Sequence, residues 1–336
     1  MQDTAWITVL TLVETAEPHL QGTDHAAWMA QLDAAQDEIR AALQWAVTQP
    51  DKALALRLAG GLWRYWYTRG TLRDGQTWLE QALVASDEAP PAVRAKALDG
   101  AGVMAMELGQ VAASRGYHTE ALRLYEGVGD QPLIAGNHES LGLLAMYEHD
   151  YDLAITHLQQ SLSIREALGD PNQLANTLLN LGTVAVRQGD YTAARAYLAQ
   201  AAALQPQLTS SQLATNIRSA QAFHALQAQD YGPAEQHAQD ALRLSISHDS
   251  PREILVSLEN LAAIAVETGQ AERAAQLYGA AETVYTATGI PVEKLTLPDR
   301  PGRLARAQAQ LGDEPWQAAW AAGTQVSPAA FLAEGP

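Results

Sequence analysis

A repeat of 40 residues constrains this chain more than any other feature of its sequence. Related segments begin at residues 101, 141, 181, 221 and 261, and each places a small residue three positions before an alanine. Further small residues follow twelve and nineteen positions after the first. These four positions are Gly102, Ala105, Ser114 and Ala121 in one unit, and Gly142, Ala145, Ala154 and Ser161 in the next. Small side chains at fixed offsets predict two closely packed helices in every unit.

The residues that begin and end helices recur with the same period. Prolines stand where the first turn of a helix tolerates them, at Pro91, Pro132, Pro171, Pro251 and Pro291. Asp170 and Ser250 are predicted N-caps, and Glu253 completes a capping box after Ser250. Gly109, Gly189 and Gly269 mark the turns inside the units. The pattern predicts a stack of helical hairpins, and no alternating strand pattern competes with it.

The segment from Leu178 to Pro206 resembles a tetratricopeptide repeat (TPR), and residues 137–162 repeat the pattern. The matching positions are Leu181, Gly182, Gly189, Asp190, Tyr191, Ala194, Leu198, Ala201 and Pro206. The resemblance implies an all-α fold, a right-handed TPR-like superhelical solenoid of about six helical hairpins with helical caps. We expect an N-terminal helical cap over residues 1–50, repeats over residues 51–290 and a C-terminal helical cap over residues 291–336.

The two ends of the chain differ from its middle in their tryptophans. Six tryptophans lie within the first 78 residues and two lie at residues 316 and 320, with none between. The end units of a solenoid face something other than another repeat. One interpretation is that these rings close the apolar core as caps. The other is a hydrophobic docking surface for a partner, with Trp63, Trp66 and Trp78 as its candidate residues.

Residues 16–46 and 58–83 resemble the region that follows the ATPase and winged-helix modules in bacterial regulators of the signal-transduction ATPase class. Many of these regulators end in a LuxR-type DNA-binding domain, and residues near the C-terminus resemble the closing helices of the same region. The resemblance implies a sensor or regulatory arm, whose partner in a full-length transcription regulator is the ATPase module. The nucleotide-binding and DNA-binding modules of that family have no counterpart here, so their activities do not carry over.

The composition excludes several functional classes. A net charge of −17 repels nucleic-acid backbones. No lysine has the spacing from glycine that a phosphate-binding loop requires. The chain has no cysteine, which suits a reducing cytoplasm, and no apolar run approaches the roughly 18 to 20 residues of a membrane span. We expect a cytoplasmic protein without nucleic-acid or membrane partners.

The sequence offers no pattern for catalysis, a cofactor or a metal. It has no HExxH motif and no calcium-binding loop. The pair His19 and His25 and the pair His149 and His157 lack the helical spacing of metal ligands. His118 occupies a packing position, so we expect a satisfied interior histidine. The chain is therefore not expected to be an enzyme.

In TPR arrays the first helix of each hairpin lines a concave groove, and the repeat register places ten candidate ligand residues on that stripe. They are Glu139, Leu143, Met146, Tyr147, Asn176, Asn180, Arg187, Asn216, Phe223 and Asn260. The asparagines are the strongest signal, because an amide both donates and accepts and a ladder of amides can hold an extended peptide by its backbone. The alternative is that these amides bond neighbouring helices or water.

Together these patterns predict a non-catalytic module that binds a peptide or a partner domain in the groove. Acidic residues such as Glu139 and Glu267 would favour a basic ligand if they cluster there. A small-metabolite sensor that uses Tyr147, Arg187 and Phe223 is one alternative, and an oligomerising scaffold is another.

Overall fold

The computed structural model describes residues 5–20, 24–84, 86–288 and 299–332. Within these ranges the chain forms seventeen α-helices and no strand. It divides into two compact units, residues 1–168 and residues 169–336. None of the described helices has the length and apolar character that crossing a membrane requires.

The first unit contains nine helices, of which the last six form three hairpins. The bounds are α1 Ala5–Ala16, α2 His25–Ala34, α3 Gln36–Ala46, α4 Ala53–Arg69, α5 Leu72–Leu83, α6 Pro91–Glu107, α7 Val111–Val128, α8 Gln131–Tyr147 and α9 Tyr151–Leu168. α4 pairs with α5, α6 with α7 and α8 with α9, and each hairpin packs on the next. α1 and α3 pack on α4, so the first three helices close the free side of the first hairpin.

The second unit contains eight helices and repeats this arrangement. The bounds are α10 Pro171–Gln188, α11 Tyr191–Ala203, α12 Ser211–Gln227, α13 Tyr231–Ser247, α14 Pro251–Glu267, α15 Ala271–Thr288, α16 Arg300–Leu311 and α17 Asp313–Gly323. α10 to α15 form three hairpins, and the first helices α10, α12 and α14 lie side by side. α16 packs on both helices of the last hairpin, and α17 packs on α15. With three hairpins in each unit, the predicted all-α fold of about six helical hairpins is confirmed.

Most of the residues predicted to begin helices or to form turns do so in the structure. Pro91, Pro171 and Pro251 are the first residues of their helices and Pro132 is the second of α8, whereas Pro291 lies outside the described residues. The loops inside the hairpins all contain one residue with a positive φ. In chain order it is Gly70, Gly109, His149, Gly189, Gln229 or Gly269, at φ values of 70°, 74°, 63°, 85°, 58° and 73°. The tight turn thus fixes the conformation even where the residue is not glycine.

One predicted capping motif is wrong. Asp170 caps α10 as expected, because its Oδ1 accepts hydrogen bonds from the backbone N–H groups of Asn172 and Gln173. Ser250 is the N-cap residue of α14, but its side chain makes no capping hydrogen bond. The Glu253 carboxylate does not complete the capping box. It accepts a hydrogen bond from Gln212 on α12 at 2.8 Å, so contact with the preceding hairpin replaces the local motif.

The small residues of the repeat are buried at the contact between the two helices of each hairpin. A Cβ atom on Gly102 would lie 2.5 Å from Nε2 of His118, and one on Gly182 would lie 2.8 Å from Cγ of Leu198. His118 is fully buried, as expected for an interior histidine, and its Nδ1 lies 3.3 Å from the Asn137 side-chain oxygen. It is not fully satisfied, because its Nε2 has no hydrogen-bond partner among the described residues. Close packing between helices is therefore the physical origin of the 40-residue pattern.

Candidate functional site

Three asparagines of the predicted amide ladder are accessible to solvent on two neighbouring helices of the second unit. Asn176 and Asn180 lie on α10 and are partly exposed, and Asn216 on α12 is exposed. Asn176 and Asn216 occupy equivalent positions of the repeat, on helices that pack side by side. We refer to Asn176, Asn180, Arg187, Asn216 and Phe223 as the α10–α12 face.

Hydrogen bonds at both ends of α12 hold it against the preceding hairpin. At one end, the Asn172 side chain donates to Thr209 Oγ1 at 3.0 Å and accepts from the backbone N–H groups of Thr209 and Ser210. At the other end, His224 Nε2 donates to the backbone carbonyl oxygen of Tyr191 at 2.7 Å. The α10–α12 face is therefore preorganised, which reduces the entropy lost when a ligand binds.

The remaining residues of the face supply apolar and cationic groups. Phe223 is half-buried and packs on Ala185, Val186 and Ala194 of the preceding hairpin. Arg187 lies in the last turn of α10 with its side chain exposed. The face thus combines amides that donate and accept, one aromatic edge and one guanidinium.

The expected continuation of the ladder onto α14 is wrong, because α16 covers that helix. Asn260 is only 1% exposed. The carboxylate of Glu259, next to it, is held by Arg300 Nε at 3.0 and 3.1 Å. One end of α16 is thus fixed at residue 259, and Asn260 lies in the buried contact rather than on an open stripe.

Glu267 is held by α16 in the same way. Its Oε1 accepts from Arg303 at 3.3 Å and from Arg306 at 2.6 Å. α16 therefore lies along α14 from residue 259 to residue 267. The three arginines at residues 300, 303 and 306 share one helix face, and this spacing is the sequence signal that could have indicated an acidic partner.

The four candidates of the first unit lie on α8 and differ in accessibility. Glu139 is 8% exposed and pairs with Arg165 of α9 at 3.4 Å. Met146 is buried, Leu143 is half-buried and Tyr147 is 61% exposed. Glu139 and Met146 therefore contribute to packing. Because arginines of this chain already pair with both Glu139 and Glu267, these carboxylates give no reason to expect a basic ligand.

The three candidate docking tryptophans do not share one environment. Trp66 is 6% exposed and packs so tightly on Gly75 of α5 that a Cβ atom there would lie 2.9 Å from the ring. Trp66 is therefore part of the core and offers no surface to a partner. Trp63 and Trp78 are half-buried at the edge of the same core, and their role in docking stays a prediction.

The described residues contain no group of three or more histidine or acidic side chains placed to hold a metal ion. The closest histidine pair is His138 on α8 and His157 on α9, whose Nδ1 atoms lie 3.1 Å apart. Burial lowers the pKa of both imidazoles, and the charge of His157 lowers that of His138 further. The lowered pKa values favour the neutral form of both rings above pH 6.5, and in that form one Nδ1 can donate to the other.

Comparison with known proteins identifies the repeat. Residues 133–207 match the family model described as tetratricopeptide repeat, which spans α8 to α11. No curated protein sequence matches the chain.

Solved structures extend the likeness to nearly the full chain. A Rap protein complexed with Competence and Sporulation Factor is 15% identical, with 96% of this chain and 89% of that chain covered and a TM-score of 0.63. The fold is tetratricopeptide-like. The apo form of the quorum sensor NprR from B. thuringiensis is 13% identical, with coverage of 93% and 84% and a TM-score of 0.61. A signal-transduction ATPase with a TPR sensor from Pyrococcus horikoshii is 15% identical, with coverage of 97% and 53% and a TM-score of 0.61.

Proposed function

We propose that this chain is a non-catalytic binding module, and that the α10–α12 face binds an extended peptide or an extended segment of a partner protein. The observation that carries the proposal is that Asn176, Asn180 and Asn216 are accessible on two neighbouring helices, whereas Asn260, the α14 counterpart of Asn180, is buried. α16 packs on α14 and α15.

The chemistry of the face suits a main chain better than one particular side chain. Asn176, Asn180 and Asn216 can each donate to a carbonyl oxygen and accept from an N–H group, which are the groups of every peptide unit. Phe223 offers an apolar contact to a side chain of the ligand. Arg187 is placed to attract a carboxylate, at the ligand's C-terminus or on an acidic side chain.

The structural neighbours support a peptide rather than another ligand class. One neighbour is a Rap protein complexed with Competence and Sporulation Factor, and another is NprR in complex with its cognate peptide NprX. The neighbour with a TPR sensor is a signal-transduction ATPase. We therefore infer that the chain acts as the sensor arm of such a regulator, and that peptide binding changes its contact with an ATPase module.

An affinity selection tests the ligand class. The purified chain is incubated with a random octapeptide pool, separated by size exclusion, and the retained peptides are sequenced by mass spectrometry. We expect retained peptides that share extended backbone character and no single obligatory side chain. A metabolite panel is screened in parallel by thermal shift. Retention of no peptide, together with stabilisation by a single metabolite, would overturn the proposal in favour of a metabolite sensor.

A further inference from the structure

A cavity in the first unit has a volume of about 640 Å³, and none of the ten predicted stripe residues lines it. It lies among α1, α4, α6 and α7, and its wall carries three cationic and three acidic side chains. They are Arg57, Arg64, Lys96, Glu14, Glu17 and Asp99. A volume of this size suits a small organic molecule.

Four of the six charged side chains already pair with each other within the wall. Arg57 donates to both carboxylate oxygens of Glu14, at 2.7 and 2.9 Å. Lys96 pairs with Glu17. The charges that remain are Arg64 on α4 and Asp99 on α6, and they are not paired with each other.

Arg64 has no carboxylate within 4.0 Å in the described part of the chain. Its guanidinium instead lies over the Trp63 ring, 4.0 Å from the centroid. Burial lowers the pKa of Arg64, and the more distant charges of Asp99 and Glu17 offset that effect only in part. A guanidinium that is stacked on one face keeps its N–H edges directed sideways for a bidentate contact with a carboxylate.

Tyr125 is a second donor without a partner. The side chain is 1% exposed and lines the cavity, and its hydroxyl has no hydrogen-bond partner among the described residues. Leaving a buried hydroxyl unsatisfied is costly, so such groups commonly mark a site that a ligand or a water completes.

Asp99 gives the cavity a matching acceptor. Its carboxylate lies 3.3 Å from Nδ1 of the fully buried His118, which is its only ion-pair partner within the described ranges and a cation only when protonated. The rest of the wall is apolar and includes Trp63, Val93 and Leu133. A bound molecule therefore meets one unpaired cation, one acid without a permanent cationic partner and an apolar surface.

We propose that this cavity binds a zwitterionic small molecule with an apolar side chain, an amino acid or a short peptide. Its carboxylate contacts Arg64 and Tyr125, and its ammonium group contacts Asp99. The inference concerns the first unit alone and does not rest on the α10–α12 face. Loss of binding in one site therefore leaves the other testable.

Calorimetric titration with four matched probes tests the proposal. The probes are free leucine, the dipeptide Leu-Leu, its C-terminal amide and its N-acetyl form. Removing one charged group from the ligand should weaken binding at least about tenfold, because each removes a hydrogen bond between charged partners. Comparing the affinity for free leucine with that for Leu-Leu distinguishes an amino-acid site from a peptide site.

Variants assign each contact to its residue. In Arg64→Gln the difference in affinity between the dipeptide and its amide should shrink, because only Tyr125 then contacts the carboxylate. In Asp99→Asn the dipeptide and its N-acetyl form should bind equally. Tyr125→Phe removes one oxygen only, so it should keep the fold. It should weaken the binding of the dipeptide with a free carboxylate about tenfold. Arg123→Gln, an exposed arginine on the same helix as Tyr125, is the charge-matched control and should bind like the unaltered chain.

The proposal is overturned by any of three results. The amide and N-acetyl forms bind as tightly as the free dipeptide, or Arg64→Gln and Arg123→Gln behave alike, or no probe binds at about 1 mM, the weak end of specific affinity. Because unfolding would mimic a loss of affinity, the thermal midpoint of every variant is measured beside the titration.

Discussion

Gly142 of α8 lies so close to Leu158 of α9 that a Cβ atom on the glycine would be 2.8 Å from the leucine Cγ. The same Cβ atom would lie 3.2 Å from the backbone carbonyl oxygen of Ala154. Leu158 is fully buried, so it has no room to move away. An alanine at residue 142 must therefore separate the two helices or force Leu158 out of its rotamer.

We predict that Gly142→Ala lowers the free energy of unfolding by about 1 to 3 kcal/mol. Gly116 of α7 is the matched control, because it lies within a helix and a Cβ atom there would meet nothing within 4 Å. Gly116→Ala should raise stability by up to about 1 kcal/mol through helix propensity. Urea unfolding of both variants tests this, and a shift of both in the same direction would show that helix packing does not set the repeat.

The His138 and His157 pair predicts a loss of stability in mild acid. Both pKa values are lowered from the ordinary 6.5, so the unfolded chain binds protons that the folded chain resists. The stability that the neutral pair contributes is present above pH 6.5 and is lost as the pH falls through the lowered values. His157→Gln removes one titrating group and should flatten this decline. Urea titrations between about pH 7.5 and 5 measure the free energy of unfolding of both proteins. If this free energy falls with decreasing pH by the same amount in the unaltered chain and in His157→Gln, the prediction is contradicted.

Arg300 holds a carboxylate that is almost fully buried. Glu259 is 2% exposed, and burial raises its pKa more than Arg300 lowers it. Removing the cation by Arg300→Gln should cost about 3 to 5 kcal/mol, because it leaves the buried charge without its main partner. The double variant Arg300→Gln/Glu259→Gln should recover most of that loss.

The same pair gives a second pH dependence of known sign. Since the folded pKa of Glu259 is raised, the stability linked to its protonated form is present below the ordinary value of 4.5 and lost as the pH rises through the folded value. The deficit of Arg300→Gln should therefore be larger at neutral pH than in acid. A deficit that does not change with pH would mean that Glu259 carries no charge in the folded chain.

The repeat made the hairpins predictable because each unit depends mainly on local residues. Gly142 and Leu158 are sixteen residues apart, and the pattern that joins them recurs in every unit. Asn176, Asn180 and Asn216 could be assigned to the surface in the same way. Fold and register thus follow from periodicity, small residues and turn residues.

Features outside the period could not be predicted in this way. Asn260 matches the ladder by register, yet it is buried, and its neighbour Glu259 pairs with Arg300, about 40 residues later on a helix that belongs to no repeat. Trp66 packs on Gly75, a glycine on the second helix of its unit, whereas the repeat pattern places the contacting small residue on the first helix. The unpaired state of Arg64 depends on which neighbouring acids are already paired, and three-dimensional contacts alone decide this.

The most direct measurement is the affinity of a peptide retained from the random pool for the double variant Asn180→Ala/Asn216→Ala. Its matched control is Gln200→Ala/Gln236→Ala, which removes two exposed amides from the second helices α11 and α13. If the α10–α12 face binds the peptide backbone, the asparagine variant should bind at least about tenfold more weakly, from the loss of two hydrogen bonds. The glutamine variant should bind as the unaltered chain does. Unchanged affinity in the asparagine variant, with its fold intact by circular dichroism, would contradict binding at this face.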